Sequence, residues 1–377
     1  MQFWDAPFLR RQFISNYGKG NLSRENHNIQ GSRMSYQRVV ITKYGGPEVL
    51  ELVDELTLPE PGPGEVRIKV EATSANFTDT MIRRRIYPAT RRKRPPFSPG
   101  YDIAGSVDKL GEGVSEFKLG EVVVDLTVTG GYSEYICLPA DRLTRVPDGV
   151  DPVDATAMVL SYVTAYQLIH RLAKVKKGGV ALVHAAGGAV GTALMELGRL
   201  HGLQMFGTAS RSKHDLVKQQ GAIPIDYTRE DFRQVIREAG HPGVDAVFDC
   251  TTPKDFNRGF GLLNPGGTFA FYGMQLNHAT NLQKALMPVD MARLFARNVF
   301  SPNRALKFYS IAKLRDQQPE WFKKDLGALL QMLADGQLRP VIEEKIALKD
   351  AQDAHRRLDK GAVKGKLVFA IEPIDCW

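Results

Sequence analysis

The stretch VALVHAAGGAVGTALMELGRL, residues 180–200, decides the fold. An apolar run typical of a buried strand leads into a glycine-containing turn, and a helical pattern follows at once. The turn has the spacing of a dinucleotide-binding fingerprint, with alanine at its first position. Small residues let the backbone approach a pyrophosphate, and the helix N-terminus offers free N–H groups. We therefore predict that a dinucleotide cofactor is bound by Ala186, Gly187, Gly188, Ala189, Val190 and Gly191.

Strand-like and helical stretches alternate around this turn. The runs VALVHAA, LQMFGTAS, IPIDY, VDAVFDC and GTFAFYG are each followed by a helical stretch or a turn. Such alternation is typical of an α/β fold with a doubly wound parallel sheet covered by helices. The alternative interpretation is that the turn is only a tight connection in another doubly wound fold.

Residues 34–155 have a different pattern, with short strands separated by Pro- and Gly-containing turns. This pattern predicts an all-β, partly barrel-like domain. After about residue 300 come two helical stretches and two strands, which we expect to return to the first domain. Residues 1–33 have no periodic apolar pattern. We interpret them as a flexible N-terminal extension, with an Arg-containing targeting segment as the alternative.

The composition is that of a globular protein, with 43% hydrophobic and 24% charged residues. No window approaches eighteen consecutive apolar residues, so we expect no transmembrane segment. The three cysteines, Cys137, Cys250 and Cys376, are far apart, which excludes a disulfide framework and Cys-x-x-Cys zinc pairs. A reducing, cytoplasmic location is the simplest expectation.

The net charge of +8 is concentrated in two places. Residues 83–94, RRRIYPATRRKR, carry seven cations and no acid, and residues 1–33 carry a net +3, which leaves −2 for the rest. We therefore expect no DNA-binding face. The basic loop 83–94 is either a solvated loop or a site for an acidic partner. Such a partner would be a thioester of CoA or a carrier protein, an anionic lipid surface, or RNA.

The end of the second strand predicts which cofactor is bound. An NAD site usually carries an acid there, to hold the ribose 2′-hydroxyl. This sequence has Ser210, Arg211 and Lys213 instead, which suit a 2′-phosphate through hydrogen bonds and charge. We therefore predict NADPH rather than NADH. The alternative is that both cations are merely solvated at a helix start.

Several motifs in order resemble the medium-chain dehydrogenase/reductase superfamily over about residues 34–373. They include EATSANFTDTMIRR, PFSPGYDIAGSVDKLGEGVSEFKLGEVV, SYVTAYQLI, VHAAGGAVG and the closing VKGKLVF. Within that superfamily the chain resembles the zinc-independent quinone oxidoreductase branch. The segments FGTASRSKHD, IPIDY and SPNRALKFYSIAKLRDQQPEWFKKDL are most similar to the vesicle amine transport protein subgroup.

The resemblance implies a split architecture. Residues 34–160 and 303–377 would form a GroES-like, β-rich catalytic domain, and residues 161–302 an inserted Rossmann domain that binds NADPH. Homodimers through the Rossmann domains are usual in such proteins. The zinc-dependent relatives have metal ligands where this chain has Asn76, Tyr101 and Leu160, so the resemblance implies no metal.

The resemblance also implies roles for single residues near the cofactor. Thr164 matches a residue near the nicotinamide and phosphates, and Tyr227 matches a tyrosine beside the 2′-phosphate. Lys366, in the closing Gly-Lys pair, would approach the cofactor, with a solvated strand end as the alternative. Asn76 matches an asparagine near the nicotinamide, which makes it the candidate catalytic positioning residue.

Without a metal, the expected chemistry is hydride transfer from NADPH to a small-molecule quinone or α,β-unsaturated carbonyl. Tyr101 and Tyr87 are candidate proton donors, although water could supply the proton and Tyr101 could be purely structural. Two alternatives stay open. One is an enoyl reductase for CoA- or carrier-bound acyl chains, and the other is a non-catalytic NADPH-binding protein associated with a membrane or a nucleic acid.

Overall fold

The computed structural model describes residues 35–274 and 280–371, so the extension predicted for residues 1–33 lies outside the described residues. The described residues contain fifteen strands: β1 (Tyr36–Ile41), β2 (Leu50–Glu55), β3 (Glu65–Ala75), β4 (Ile103–Leu110), β5 (Val122–Asp125), β6 (Tyr135–Pro139), β7 (Thr144–Arg145), β8 (Val180–Val183), β9 (Gln204–Ala209), β10 (Ile223–Asp226), β11 (Val244–Asp249), β12 (Leu263–Phe271), β13 (Ala305–Phe308), β14 (Ile342–Ile346) and β15 (Lys366–Ala370).

The same residues form eleven α-helices: α1 (Phe77–Arg83), α2 (Pro152–Ala157), α3 (Val163–Tyr166), α4 (Ala189–Leu200), α5 (His214–Gln219), α6 (Phe232–Glu238), α7 (Pro253–Gly261), α8 (Asn281–Val299), α9 (Ile311–Gln317), α10 (Pro319–Ala334) and α11 (Ala351–Asp359). Two wider, π-helical segments, Met158–Tyr162 and Gln167–Ala173, follow α2 and α3 without a break. Residues 152–173 are therefore one continuous helical segment.

A six-stranded parallel sheet confirms the α/β fold predicted from residues 180–200. Its strand order is β10-β9-β8-β11-β12-β13. This is the order of doubly wound dinucleotide-binding sheets, in which ligands bind at the carboxyl ends of the strands. All four residues of β8 are buried, because helices cover both faces of a parallel sheet.

The parallel sheet extends past residue 302, the predicted end of the Rossmann domain. β13 pairs in parallel with β12, with Thr268 opposite Ala305 and Phe271 opposite Phe308. The domain limit at residue 303 was therefore too early for this strand. The short run ALKF is only half-buried at the edge of the sheet, so its apolar pattern was weak.

The second sheet is mixed and combines both ends of the chain. Its order is β14-β15-β3-β4-β5-β7, and β6 also pairs with β3. β15 pairs antiparallel with β3, with Leu367 opposite Ala75, so the C-terminal strands extend the sheet built by the N-terminal part. This β-rich body beside the parallel sheet matches the predicted GroES-like and Rossmann combination.

The helical segment 152–173 lies between the two sheets. Its first turns pack against β3 and β15, and its later turns pack against α4 and α10. Wide π-helical turns inside α-helices are found mostly at functional sites. Among residues 35–274 and 280–371, the structure has no helix with the length and apolar composition that crossing a bilayer requires.

A buried polar network lies behind the start of α1. Asp79 accepts hydrogen bonds from the backbone N–H groups of Asn76, at 3.0 Å, and Gly100, at 3.1 Å. The Tyr132 hydroxyl oxygen lies 3.4 Å from Asp79 Oδ2 and 3.1 Å from His355 Nε2. Burial raises the pKa of Asp79 to about 7 and lowers the pKa of His355 to about 3.

The low pKa of His355 predicts a pH-dependent loss of stability. In the unfolded chain an imidazole gains a proton below about pH 6.5, whereas the folded protein keeps His355 neutral down to about pH 3. The folded state is therefore increasingly disfavoured as the pH falls through that window. We expect wild type to lose about 2 kcal/mol more free energy of unfolding between pH 7 and pH 5 than His355→Gln. Urea unfolding at both pH values measures this, and an equal loss in the two proteins would contradict the prediction.

Candidate active site and cofactor-binding turn

The predicted turn connects β8 to α4 and is open on one side. Gly188 is the N-cap of α4. A Cβ at Gly191 would lie 2.7 Å from Ala186 Cα, so this position requires glycine for close packing. A Cβ at Gly188 would approach only the Ala185 carbonyl oxygen, at 3.4 Å, so the space in front of Gly188 is free. The left-handed residue of the turn is Ala185, with φ of 56°, rather than Ala186 at the first position of the fingerprint.

The start of α4 fits the phosphates of a dinucleotide. Ala189 and Val190, the first two residues of the helix, are half-buried rather than covered. The first intrahelical bond of this end runs from the Thr192 N–H to the Gly188 carbonyl at 2.8 Å. Earlier N–H groups of a helix have no acceptor within the helix and carry its positive dipole end. An anionic pyrophosphate matches both properties.

Three of the residues predicted for the 2′-phosphate lie just after the carboxyl ends of two neighbouring strands of the parallel sheet. Ala209 at the end of β9 is opposite Asp226 at the end of β10. Ser210 and Arg211 follow the first strand and Tyr227 follows the second. Arg211 is exposed, and the Tyr227 side chain is 63% exposed. The Ser210 hydroxyl, the Arg211 guanidinium and the Tyr227 phenol therefore lie at the same end of the parallel sheet.

Lys213 was predicted to bind the 2′-phosphate with these residues, but its ammonium is hydrogen-bonded within the protein. Its aliphatic chain covers Gly187, where a Cβ would lie 2.5 Å from Lys213 Cδ. Its ammonium donates to the carbonyl oxygens of Gly361, at 2.9 Å, and Val363, at 2.6 Å. Burial lowers the pKa of Lys213. The side chain thus ties the cofactor turn to the segment before β15.

Two adjacent residues join the turn to a buried polar cluster. The Gly365 N–H donates to the Gly187 carbonyl at 2.9 Å. Gly365 has φ of 67°, and a Cβ there would lie 2.6 Å from Val341 Cγ1, so only glycine fits. The next residue, Lys366, is 3% exposed, so the alternative of a solvated strand end is wrong.

The ammonium of Lys366 has three acceptors. It donates to Asn76 Oδ1 at 3.0 Å, to Asp102 Oδ2 at 3.3 Å and to Ser161 Oγ at 3.3 Å. The Asn76 Nδ2 group donates to the Ser74 carbonyl at 3.1 Å and to Asp102 at 3.4 Å. Both the oxygen and the nitrogen of the Asn76 side-chain amide are therefore hydrogen-bonded to protein groups. Sequence reasoning missed Asp102 and Ser161, because no local pattern indicates that they meet.

The two candidate proton donors form a pair. The hydroxyl oxygens of Tyr87 and Tyr101 lie 2.5 Å apart, and their rings meet edge to face. Tyr101 is completely buried, whereas Tyr87 is half-buried. Burial raises the pKa of both phenols, and the hydrogen bond from Tyr101 opposes this rise at Tyr87. Tyr87 is therefore the accessible member of the pair.

Thr164 belongs to a polar stripe along the helical segment 152–173. Ser161, Thr164 and Gln167 are spaced by three residues, so they share one face of a largely apolar segment. Tyr309 donates to Gln167 Oε1 at 2.8 Å. The spacing of polar residues in SYVTAYQ was a signal in the sequence, whereas its partner Tyr309 could not be inferred from it.

Some cations of the basic loop 83–94 bind other protein groups, and others are exposed to solvent. Arg83 is completely buried and, like Arg84, pairs with Asp359 at 2.7 Å. Lys93 donates to Thr129 at 2.8 Å. Arg85 is also exposed, and its Nε donates to the Arg91 carbonyl at 3.3 Å. Arg91, Arg92 and Arg94 are exposed as well. The loop is thus partly structural, with four exposed arginines.

The metal-ligand positions of zinc-dependent relatives hold other residues here. Asn76 and Tyr101 have the contacts given above, and Leu160 is a buried apolar residue of the helical segment. Within residues 35–274 and 280–371 there is no group of three or more His, Cys, Asp or Glu side chains placed to hold a metal ion.

Comparison with known proteins gives the family. Residues 62–148 match the family model of the alcohol dehydrogenase GroES-like domain, and residues 220–369 match that of zinc-binding dehydrogenases. The Rattus norvegicus synaptic vesicle membrane protein VAT-1 homolog is 32% identical over 345 residues, covering 89% of this chain and 84% of that protein. The Sus scrofa quinone oxidoreductase is 30% identical over 339 residues, covering 88% of this chain and 96% of that protein.

A solved structure has the same fold. The Escherichia coli quinone oxidoreductase complexed with NADPH has a TM-score of 0.77 and 27% identity, covering 89% of this chain and 100% of that chain. The architecture, the site and these relatives agree. The chain therefore belongs to the medium-chain dehydrogenase/reductase superfamily of oxidoreductases, in its zinc-independent quinone oxidoreductase branch near the vesicle amine transport proteins.

Proposed function

We propose that the chain is an NADPH-dependent reductase of quinones or α,β-unsaturated carbonyls. One observation carries the proposal: the Gly365 hydrogen bond attaches the open turn at Gly187 to the polar cluster around Lys366. Cofactor turn and candidate active site are thus joined by one short segment. The NADPH complex of the Escherichia coli relative supports the choice of cofactor.

Each predicted residue has a role in this proposal. When bound, NADPH supplies a hydride from C4 of its nicotinamide ring. The turn 186–191 binds the pyrophosphate, and Ser210, Arg211 and Tyr227 bind the 2′-phosphate. Lys213 supports the turn from behind. Asn76 keeps the positioning role predicted for it, because its amide is hydrogen-bonded to Lys366, Asp102 and the Ser74 carbonyl.

The tyrosine pair supplies the proton. Either hydroxyl of the pair can be the donor, and when Tyr101 donates to Tyr87, the Tyr87 hydrogen is directed away from the pair. The reduced acceptor develops negative charge on oxygen, and a phenol within reach stabilises that charge by donating a hydrogen bond or a proton. The half-buried Tyr87 is the member that can contact a substrate.

The cofactor preference tests the first part of the proposal. We expect wild type to oxidise NADPH in the presence of a simple quinone and to use NADH much less well. Arg211→Ala should lower kcat/KM for NADPH about tenfold and leave the value for NADH unchanged, because only the 2′-phosphate pairs with the guanidinium. Arg237→Ala, an exposed cation at the end of α6, is the control. Equal use of the two cofactors by wild type would refute the assignment.

The tyrosine pair is tested by removing one hydroxyl at a time. Tyr87→Phe should lower kcat with a small enone about 100-fold, as expected for loss of a general acid. Tyr101→Phe should have a smaller effect, because Tyr87 keeps its own hydrogen. Tyr36→Phe in β1 is the matched control. An unchanged kcat in Tyr87→Phe would mean that water supplies the proton.

The exposed Arg91, Arg92 and Arg94 of the basic loop favour a second candidate function, reduction of enoyl thioesters. The Thr90 N–H donates to the Tyr87 carbonyl at 3.2 Å, and Tyr87 itself belongs to the loop, so the arginines lie in the same segment as the proposed proton donor. Guanidinium groups bind phosphates through paired hydrogen bonds, and CoA carries phosphates. The loop therefore offers a place for the carrier end of a thioester.

Charge removal separates the two functions. Changing Arg91, Arg92 and Arg94 together to Gln should raise KM for an enoyl-CoA about tenfold and leave KM for a small enone unchanged. Lys93 is retained because it bonds Thr129. An equal change for both substrates would count against a carrier-binding role.

A homodimer remains a prediction. β13 is the edge strand of the parallel sheet, and Phe295, Val299, Phe300 and Phe308 nearby are exposed. An edge strand beside an apolar surface provides groups that a second copy could pair and cover. Light scattering in solution measures the molar mass that decides this.

A further inference from the structure

Asp79, a completely buried residue of α1, binds two separate parts of the candidate active site. Its Oδ2 atom accepts the N–H of Asn76 at 3.0 Å, and its Oδ1 atom accepts the N–H of Gly100 at 3.1 Å. Asn76 belongs to the cluster around Lys366. Gly100 directly precedes Tyr101, a member of the tyrosine pair. One carboxylate therefore connects the two groups of candidate residues.

The backbone that carries Tyr101 is held from several sides. Gly100 has φ of 107°, and a Cβ there would lie 2.4 Å from the Tyr132 backbone nitrogen, so the chain passes too close for any side chain. The Gly100 carbonyl accepts the Thr127 hydroxyl at 2.7 Å. The Tyr101 carbonyl accepts the Val128 N–H at 3.2 Å. With the bond to the carboxylate, these contacts fix the backbone from which the Tyr101 ring extends.

The contacts of Asp79 fit an ionised carboxylate. A backbone N–H can only donate, and each carboxylate oxygen accepts one, so a proton on either oxygen would compete with an N–H group. Tyr132 can supply a third donor, since its hydroxyl oxygen lies 3.4 Å from Oδ2. Burial raises the pKa of Asp79 to about 7, and the hydrogen bonds from Asn76 and Gly100 oppose the rise. At pH 8 the ionised form therefore predominates.

We propose that Asp79 is a positioning residue for proton transfer, because its carboxylate places the Tyr101 phenol where it binds Tyr87. The proposal rests on the proposed function, in which Tyr87 donates to the reduced acceptor. Asp79 acts through the Gly100 backbone on Tyr101, and through Tyr101 on Tyr87. In the sequence, Asn76 and Asp79 have the spacing of a capping box, which accounts for the first bond of Asp79 and gives no sign of the second.

Asp79→Asn keeps the shape of the side chain and removes one acceptor. Two donors meet Oδ2 and one meets Oδ1, so the amide oxygen should take the Oδ2 place and the NH₂ group should face the Gly100 N–H. Two facing N–H groups repel each other, which displaces Gly100 and with it Tyr101. At pH 8 we expect kcat with a small enone to fall about tenfold. The Kd for NADPH should stay within about twofold of wild type, because the change acts on the proton donor and leaves the cofactor turn intact.

A double-mutant cycle tests whether Asp79 acts through Tyr101. Tyr101→Phe should lower kcat about tenfold by itself, and adding Asp79→Asn should lower it by no more than about twofold further, because the phenol to be positioned is already absent. Thr127→Val removes the donor to the Gly100 carbonyl and should behave in the same way, so it decides the matter if Asp79→Asn does not fold. Asp231→Asn is the matched control, since Asp231 also accepts a backbone N–H at the start of a helix, α6, and should keep the wild-type kcat.

The tyrosine pair can also be observed without turnover. Tyrosine labelled with carbon-13 at Cζ gives an NMR signal for each phenol, and Tyr87→Phe and Tyr101→Phe identify the two signals of the pair. The two hydroxyl oxygens lie 2.5 Å apart, so the Tyr87 signal should shift when its partner is removed. Asp79→Asn should shift the Tyr87 signal in the same direction as Tyr101→Phe, and Asp231→Asn should leave it unchanged.

The outcomes separate the two proposals. No oxidation of NADPH by wild type with any quinone or enone would overturn the proposed function, and the Tyr87 signal would then still decide whether Asp79 positions the pair. An unchanged Tyr87 signal in Asp79→Asn, or losses of kcat that multiply to about 100-fold in the double variant, would overturn the positioning role and leave the proposed reductase intact. An unchanged kcat in Tyr101→Phe would also overturn it.

Discussion

The candidate site depends on the hydrogen bond that the Gly365 N–H donates to the Gly187 carbonyl. This bond connects the turn after β8 to the start of β15, and therefore the parallel sheet to the mixed sheet. The residue that follows, Lys366, places its ammonium in the buried cluster of Asn76, Asp102 and Ser161. Because the two residues are adjacent, the position of the cofactor turn and the position of the cluster cannot vary independently.

Burial makes the cluster specific. A buried ammonium is strongly unfavourable unless it is paired and hydrogen-bonded. Lys366 has a carboxylate, an amide oxygen and a hydroxyl as acceptors, which use all three of its hydrogens. Removing any one acceptor would leave a donor unsatisfied in the interior. The hydrogen bonds of this buried cluster therefore favour one arrangement of these residues.

The helical segment 152–173 connects this cluster to the rest of the cleft. Ser161 contacts Lys366, and Gln167 contacts both Tyr309 and Asp325. One stripe of polar residues thus binds groups from the C-terminal part of the chain, between residues 309 and 366. In an otherwise apolar segment, such a stripe is stable because each polar group finds a partner of fixed donor or acceptor character.

The sequence by itself determined the doubly wound sheet, the glycine-containing turn 186–191 after its first strand, and the placing of Ser210, Arg211 and Tyr227 after two neighbouring strands. These features depend on short-range patterns: apolar runs, glycine spacing, and the rule that parallel strands end at one edge. Tertiary structure alone decided that Lys366 is buried, that the Asn76 amide is hydrogen-bonded by protein groups, and that Tyr309 donates to Gln167. Each of these facts requires residues far apart in the chain to meet, as Lys366 and Asn76 do at 3.0 Å. Periodicity reports which face of an element is buried, whereas the identity of the group it meets is set only when distant elements pack.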